Sequence, residues 1–388
     1  WKKRASDVEQ KDYNEFYKNK FMDYTDPLRV ITSRTEGTAT YTALLFIPGS
    51  TPYDYYTKEY EKGLQLYSNG VLIMDKCADL LPEHFRFVRG VVDSPDLSLN
   101  ISRELLQHDR QLKVIANNIE KKIKSELVKL MKDDREKYQQ FWTAFGMQFK
   151  YALMNAYGQN RDTIRDLLLF WSSKENKLTS LKEYVDRMPE SQEKIYYVCA
   201  DSVEHASKMP QAERVLKAGY EVLYLTVDED EIVLQMLENA YDKPFVSVAS
   251  EDALPVTDAE KASVEQAEKD HKALLDFAQE TLKGEVSKVR ISKILQSGAV
   301  CLTAEGPVSL EMEKYFRKMR RDFPMSAQRV LELNPDAPAF QALCKAYEED
   351  KEKAAAYVEV LYNQALIIAD LPLPDPARYA ELVCGLMK

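Results

Sequence analysis

The chain has 388 residues, so it is too long for one ordinary hydrophobic core and should fold as two or three domains. Its net charge of −10 argues against a nucleic-acid partner, because a duplex-binding surface needs clustered lysine and arginine. No apolar run approaches the ~18–20 residues that cross a bilayer. The five cysteines and four histidines lack the spacing of a metal site. We therefore expect a cytoplasmic protein with no membrane span and no bound metal.

Glycine is scarce and widely spaced along the chain. None of the 12 glycines lie closer together than Gly63 and Gly70. A Gly-x-Gly-x-x-Gly fingerprint and a P-loop are therefore both absent from the sequence. We therefore expect this chain to have no phosphate cradle of its own. Because the chain begins at Trp1 rather than at methionine, we also expect it to be a fragment.

Residues 1–132 are predicted to form a mixed α/β unit. A helix is expected from Asp12 to Phe21, with its aromatic side chains on one face. Runs typical of strands follow at Tyr41–Pro48, Leu64–Tyr67, Gly70–Met74 and Phe85–Val92. A long helix should close this unit.

That helix is expected to begin within residues 93–107, after the turn Ser94-Pro95-Asp96. The side chains that could cap it are Ser98, Asn100 and Ser102. Its predicted buried face repeats every three or four residues: Leu105, Leu112, Ile115, Ile119, Ile123, Leu127 and Leu130.

Three polar residues, Asn100, Arg103 and Gln107, would share one side of this helix. An arginine in the first turn opposes the helix dipole, so it is a poor choice for stability alone. Beside the free N–H groups of the helix, it would make a good phosphate site. A surface ion pair of Arg103 with Asp96 or Glu104 is the commoner explanation for such a residue, and the residues by themselves leave both interpretations open.

The central part of the chain is predicted to be helical first and then alternating. Phe141, Phe145 and Phe149 have the spacing of a buried helical face in a helical piece that spans 133–170. Strand and helix patterns then alternate over 180–252, which predicts a βαβαβ unit with a parallel sheet. Cys199 and His205 lie in this unit, and a stand-alone enzyme would need them as a nucleophile–base pair.

A new domain is expected after a linker at 249–263. Its first helix should cover 264–282, followed by strands at 286–295 and 299–304. The segment Ser309–Phe323 has apolar residues at helical spacing, and methionine on such a face suits either a core or an adaptable binding surface. The candidate binding residues on it are Met312, Tyr315, Phe316 and Met319.

Two apolar helices are predicted to end the chain. The second begins at Asp375-Pro376, an N-cap followed by proline at the first helical position. The residues of the two apolar faces are Val358, Leu361, Tyr362 and Ala365, then Tyr379, Leu382, Val383 and Leu386. Such wide faces on short helices need a partner, so we predict a homodimer in which they form a four-helix bundle.

The sequence Asp-Ser-Pro-Asp-Leu-Ser-Leu-Asn-Ile-Ser-Arg-Glu-Leu-Leu-Gln at 93–107 resembles the catalytic loop of the heat-shock protein 90 chaperones. The resemblance extends over essentially the whole chain, in the order of that family. Other similar segments are Tyr13–Lys18, Ala43–Pro48, Ile73–Asp75, Phe87–Asp93, Leu181–Met188, Ile195–Tyr197 and Glu332–Pro335.

The resemblance implies an α/β (α+β) fold made of a middle and a C-terminal domain, without the N-terminal ATP-binding domain. The middle domain would cover 1–252, as a large α/β unit (1–132), a helical connector (133–179) and a small βαβ unit (180–252). The dimerisation domain would cover 264–388. The C-terminal sequence has neither an acidic tail nor a retention signal, which favours the bacterial-type branch and leaves a mitochondrial relative as the alternative.

In function, the resemblance implies an ATP-dependent dimeric chaperone that remodels unfolded or partly folded client proteins. Arg103 would reach the γ-phosphate of ATP, while Asn100 and Gln107 would steady the loop. ATP and Mg²⁺ would be bound by the missing domain, so this fragment should hold no cofactor and hydrolyse no ATP alone. The alternative from a different class is the second domain of an ATP-driven topoisomerase or mismatch-repair protein.

Overall fold

The fold is mixed α/β, which confirms the predicted fold class. The computed structural model of the chain describes residues 1–97, 109–250, 253–319 and 326–387. The chain divides into two units, Trp1–Leu169 and Phe170–Lys388. The domain limits expected at 252 and 264 stay a prediction.

The first unit is built on a five-stranded sheet. Its elements are α1 (Gln10–Phe21), β1 (Arg29–Thr35), β2 (Tyr41–Ile47), β3 (Leu64–Ser68), β4 (Val71–Cys77), β5 (Arg89–Asp93), α2 (Arg110–Asp133), α3 (Arg135–Asn155) and α4 (Arg161–Ile164), with short 3-10 helices at Ala5–Asp7, Ala78–Leu80, Glu83–Phe85 and Arg165–Leu167. The strand order is β1-β2-β5-β3-β4, and β3 pairs with β5 in parallel while the other pairs are antiparallel. On one face of this sheet, Tyr17 of α1 packs with Leu44 and Phe46 of β2.

The predicted face of the long helix is buried from Leu112 onward, and Leu105 lies outside the described residues. The described helix begins later than we expected. Leu112, Ile115, Ile119, Ile123, Leu127 and Leu130 are all buried. The backbone at Asp109 is extended, and its side chain caps α2 by accepting a hydrogen bond from the Leu112 N–H at 3.0 Å. An uninterrupted helix from the Asn100 region to Leu130 is therefore wrong, because this Asp starts a helix of its own.

The aromatic stripe of α3 is core, as its spacing predicts. Phe141, Phe145 and Phe149 are fully buried and surround Phe87, whose ring centroid lies 4.8 Å from that of Phe145. The helical connector that we predicted over 133–179 is wrong at its C-terminal end, where β6 (Leu169–Ser172) and β7 (Lys177–Ser180) lie. The polar turn between them is closed by Ser172, whose Oγ accepts the Glu175 N–H at 2.9 Å.

The second unit begins with a six-stranded mixed sheet. Its elements after β6 and β7 are α5 (Leu181–Arg187), β8 (Ile195–Cys199), α6 (Val203–Ala206), a 3-10 helix (Pro210–Ala212), α7 (Glu213–Lys217), β9 (Val222–Leu225), α8 (Asp230–Leu237), β10 (Asn239–Ala240) and β11 (Lys243–Ser247). The strand order is β10-β11-β8-β9-β6-β7. Strands β11, β8 and β9 are parallel, which confirms the βαβαβ pattern. The single helix predicted between β8 and β9 is instead broken at Pro210, which cannot donate a helical hydrogen bond.

A three-stranded sheet and six helices complete the described part of this unit. They are α9 (Asp258–Asp270), α10 (Lys272–Thr281), β12 (Lys288–Ile291), β13 (Val300–Glu305), α11 (Leu310–Met319), β14 (Gln328–Leu333), α12 (Pro338–Glu349), α13 (Lys351–Ile368) and α14 (Pro376–Leu386). The predicted linker at 249–263 is wrong after Thr257, which starts α9 in a reciprocal capping box with Glu260. Strand β14 and helix α12 were not predicted, and β14 is the central strand of its sheet.

Helix α2 is fastened to strand β1 by one carboxylate. Glu126 is buried, and it accepts hydrogen bonds from the Arg29 guanidinium at 2.7 and 3.1 Å. Burial alone would raise the pKa of Glu126, but the hydrogen bonds from Arg29, Lys122 and Lys129 outweigh it and lower this pKa to about 2.

Acid should therefore remove the stabilisation that Glu126 provides. Because its pKa is depressed in the folded state, the contribution is complete above the ordinary value of 4.5 and is lost as the pH falls toward 2. Urea unfolding should show a stability gap between the wild type and Glu126→Gln that shrinks between pH 7 and pH 3. The exposed Glu136→Gln should show no such trend, and a pH-independent gap for Glu126→Gln would contradict the assignment.

Candidate functional site

The candidate site in the first unit is the loop that follows β5. Its predicted functional residues, Asn100, Arg103 and Gln107, lie outside the described residues. The start of the loop is described as far as Leu97, and this segment, residues 93–97, is called the loop stem below. Ser94 and Leu97 are buried within it.

One side of the loop stem is fixed by Thr40, just before β2. Ser94 Oγ donates to the Thr40 carbonyl at 2.7 Å, and the Thr40 N–H donates to Asp96 Oδ2 at 2.6 Å. Ser94 Oγ also accepts the Asp96 N–H at 3.3 Å. The turn predicted from Ser94-Pro95-Asp96 is thus held to the sheet by its own side chains. Asp96, which the sequence also offered as a surface partner for Arg103, is one of the side chains that hold this turn to the sheet.

The other side of the loop stem is fixed by the end of β3. The Ser94 N–H donates to the Tyr67 carbonyl at 3.0 Å, and Ser68 Oγ donates to the Leu97 carbonyl at 2.7 Å. Sequence reasoning did not single out Thr40 or Ser68. The available signal was the Asn69-Gly70 pair after Ser68, which is typical of a tight hairpin.

Helix α11 carries the predicted binding residues. Met319 is 68% exposed, whereas Met312, Tyr315 and Phe316 are half-buried. Within this helix only Glu313 is fully buried, and it forms ion pairs with Arg329 at 2.7 Å and Arg317 at 2.6 Å. The apolar side chains of α11 are therefore neither all buried nor all exposed. The fully buried residue that anchors this helix is the charged Glu313, which is paired with two arginines.

Polar contacts join α11 to the region of helix α8 in the same unit. Ser309, just before α11, donates to Glu231 of α8, and Lys318 forms an ion pair with Asp228. A cavity of about 250 Å³ lies between these elements, lined in part by Cys199, Glu231 and Glu311. Burial raises the pKa of both carboxyl groups.

The stand-alone enzyme gains no support from this cavity. Burial raises the pKa of the Cys199 thiol well above its ordinary value, which disfavours the thiolate that a nucleophile needs. His205 instead has its Nδ1 3.0 Å from Asp201 Oδ1 and 3.9 Å from Asp370 Oδ2. These three groups have a spacing that a metal ion could use. Asp201 and Asp370 also bond to each other without an ion, through the Asp201 N–H at 3.1 Å.

The two C-terminal helices differ in how they are covered. We predicted that both apolar faces lack a partner within the chain, and for α13 this is wrong. Its residues belong to the core of the second unit, which also contains Leu274, Val289 and Leu331. The α13 residues concerned are Val358, Leu361, Tyr362 and Ala365.

Helix α14 keeps the features of a candidate interface. None of its residues is fully buried, and the predicted interface residues Tyr379, Leu382, Val383 and Leu386 are half-buried. Two apolar side chains at the ends of these helices are exposed: Met387, just after α14, is 78% exposed, and Ile367, near the end of α13, is 47% exposed. The apolar face of α14 is therefore only partly covered, whereas that of α13 is buried.

Comparison with known proteins decides the family. The family described as Hsp90 protein matches residues 1–388. The chain belongs to the Hsp90 family. Membership over the full length decides against the topoisomerase or mismatch-repair alternative.

Bacterial Hsp90 proteins are similar to this chain along its whole length. Chaperone protein HtpG of Bacillus subtilis (strain 168) is 51% identical over 387 residues, which cover 100% of this chain and 62% of that protein. Chaperone protein HtpG of Oceanobacillus iheyensis is 50% identical over 387 residues, and that of Clostridium botulinum (strain Langeland) 49% over 389, with the same coverage. The chain thus spans about three fifths of the length of these relatives. Among the helices in the described ranges, none has the length and hydropathy of a membrane span.

Proposed function

We propose that this chain is the middle and C-terminal part of an ATP-dependent chaperone of the cytoplasm that binds and remodels client proteins. The observation that carries the proposal is the match of all 388 residues to the Hsp90 family. The relatives named above are called chaperones. The middle domain would end near 252 and the C-terminal domain would begin near 264, as the sequence predicts.

The chemical role of the first unit would be to present Arg103 to a nucleotide. The sequence has no glycine-rich phosphate cradle, so ATP and Mg²⁺ would bind to a part of the protein outside this chain. A guanidinium that enters from another domain can stabilise the charge that develops on the transferred phosphoryl group. A loop stem fixed on both sides supports this role, because such a group must be placed accurately.

Removal of Arg103 should abolish most of the ATP hydrolysis. Arginine fingers contribute roughly 10³–10⁵ in rate, so Arg103→Ala in the full-length protein should lower kcat severely and leave the affinity for ATP nearly unchanged. Steady-state ATPase assays and calorimetry would measure the two effects. Asn100→Ala and Gln107→Ala should have smaller effects, because these residues would position the loop.

Arg110→Ala is the matched control for this experiment. Arg110 is exposed at the start of α2, and its removal should leave kcat unchanged. Near-normal hydrolysis by Arg103→Ala would show that the assigned role is wrong. Micromolar ATP binding by the isolated 388-residue chain would contradict the expectation that the nucleotide binds elsewhere.

Helix α11 would be a contact surface for client proteins. Met319 is exposed and can adapt to different apolar partners. Met319→Ser should weaken binding to an unfolded protein by several-fold without a change in melting temperature. Met312→Ser should also lower the melting temperature, since Met312 is half-buried and its Sδ lies 3.5 Å from Gln235 Nε2. Binding can be followed by fluorescence anisotropy of a labelled, permanently unfolded protein.

The equally exposed Met22 in the first unit provides the control. It is 77% exposed, so Met22→Ser removes a comparable side chain from a different surface. Equal losses of affinity for Met22→Ser and Met319→Ser would indicate general stickiness of exposed methionine. Client binding by α11 would then have to be abandoned.

The chain would form a homodimer through α14. Leu382→Glu should produce a monomer, because an unpaired carboxylate would be buried at the interface. Sedimentation equilibrium at micromolar concentration measures the change, and circular dichroism checks that α14 still folds. Leu72→Glu, at a leucine that is 48% exposed in the first unit, should leave the dimer intact. A dimer that persists in Leu382→Glu would place the interface elsewhere.

A further inference from the structure

The β3–β4 connection is a two-residue hairpin turn, since Ser68 pairs with Val71. Asn69 has φ 51° and Gly70 has φ 79°, so both central residues have positive φ. This is the pattern of a type I′ turn, for which Asn-Gly is the preferred sequence. A side chain at Gly70 would be strained by that φ. Glycine therefore suits this position of the turn.

Two hydrogen-bond donors at this turn bind the loop stem. Ser68, the last residue of β3, is fully buried and donates through Oγ to the Leu97 carbonyl at 2.7 Å. The Gly70 N–H donates to Asp93 Oδ1 at 3.1 Å. The two bonds lie at opposite ends of the loop stem, so the turn and the stem share two fixed points.

The carboxylate of Asp93 has a second donor on its other oxygen. Trp1 Nε1 donates to Asp93 Oδ2 at 3.0 Å, and the Trp1 ring packs on Tyr67 with a centroid distance of 4.8 Å. Tyr67 and Asp93 are partners in the parallel pairing of β3 with β5. Asp93 is therefore held on both oxygens at the residue where β5 ends and the loop stem begins.

We propose that Ser68 and Asp93 are positioning residues for ATP hydrolysis, which act by fixing the loop stem that leads to Arg103. This inference rests on the proposed function. Neither side chain would touch the nucleotide. Leu97 precedes Arg103 by only six residues in the sequence. A misplacement of about 1 Å of a reacting group can cost ~10²-fold in rate, so we expect the rate to depend on a fixed stem.

The test is the steady-state ATPase activity of the full-length protein. Ser68→Ala and the isosteric Asp93→Asn should each lower kcat about ten-fold, within the range that misplacement of a reacting group can cause. The KM for ATP should change by less than about two-fold, since ATP would bind to another domain. In an Arg103→Ala background neither substitution should lower kcat further, because both residues act through that arginine.

Ser172→Ala is the matched control. Ser172 is also a fully buried serine, and its Oγ donates to Glu221 in the second unit at 2.6 Å. It should lower the melting temperature about as much as Ser68→Ala and leave kcat unchanged. If Ser68→Ala does not fold, Asp93→Asn decides the question alone, because it keeps the size of the side chain.

Three results would overturn the positioning role. They are an unchanged kcat in Asp93→Asn, a fall in kcat that is equally large with and without Arg103, and a loss that appears in KM instead. Each of these leaves the proposed function in place, provided that Arg103→Ala alone is inactive. If Arg103→Ala retains full activity, the proposed function fails together with the positioning role.

Discussion

The pairing of β5 with both of its neighbours is the constraint on which the first unit depends. Strand β5 lies between β2 and β3, and all three strands are almost entirely buried. Its hydrogen-bond ladder with β3 continues beyond the strand, through the Ser94 N–H and the Tyr67 carbonyl. The backbone at the start of the candidate loop is thus held in place by hydrogen bonds to a buried sheet. A loop on such a base can place a side chain more accurately than a loop between two exposed elements.

In the second unit, buried carboxylates that pair with arginine hold the strands of the three-stranded sheet and helix α11 in place. Glu332 on β14 is 1% exposed, and it accepts hydrogen bonds from Arg290 at 2.7 Å and Thr303 at 2.9 Å. Arg290 and Glu332 are direct partners in the parallel pairing of β12 with β14. A shift of register by one residue would leave a buried charge unpaired, which is far more costly than the loss of an apolar contact. The pair therefore specifies one register for this sheet.

Helix α11 is also held in place by a buried carboxylate paired with an arginine. Glu313 connects it to Arg329 at the start of β14, and Arg329 also donates to the Tyr362 hydroxyl of α13 at 3.1 Å. The helix is thus anchored to the C-terminal core by one charged residue, while its apolar side chains stay half-buried or exposed. This arrangement gives a candidate binding surface a stable base without requiring its methionine and aromatic residues for the core.

The sequence by itself determined the family, the mixed α/β class and the local elements with strong periodicity. The apolar repeat from Leu112 to Leu130 and the phenylalanine stripe of α3 were predicted correctly, because a 3.6-residue repeat depends only on the chain. Local capping also decides where helices begin, and the capping boxes and caps at Asp109 and Thr257 were present in the sequence. The longer apolar patterns do not show these two caps, and both helix starts were predicted wrongly.

Only the tertiary structure decided what covers each apolar or charged face. The stripe of α13 and that of α14 look alike in sequence, yet the first is buried in the core of its own unit and the second is not. Glu313 and Glu332 look like surface residues until their arginine partners are placed beside them. The hydrogen bond from Ser68 to the Leu97 carbonyl joins residues 29 positions apart. Periodicity and propensity are local properties, whereas burial depends on which distant segment packs against a face, and that is settled only when the whole chain has folded.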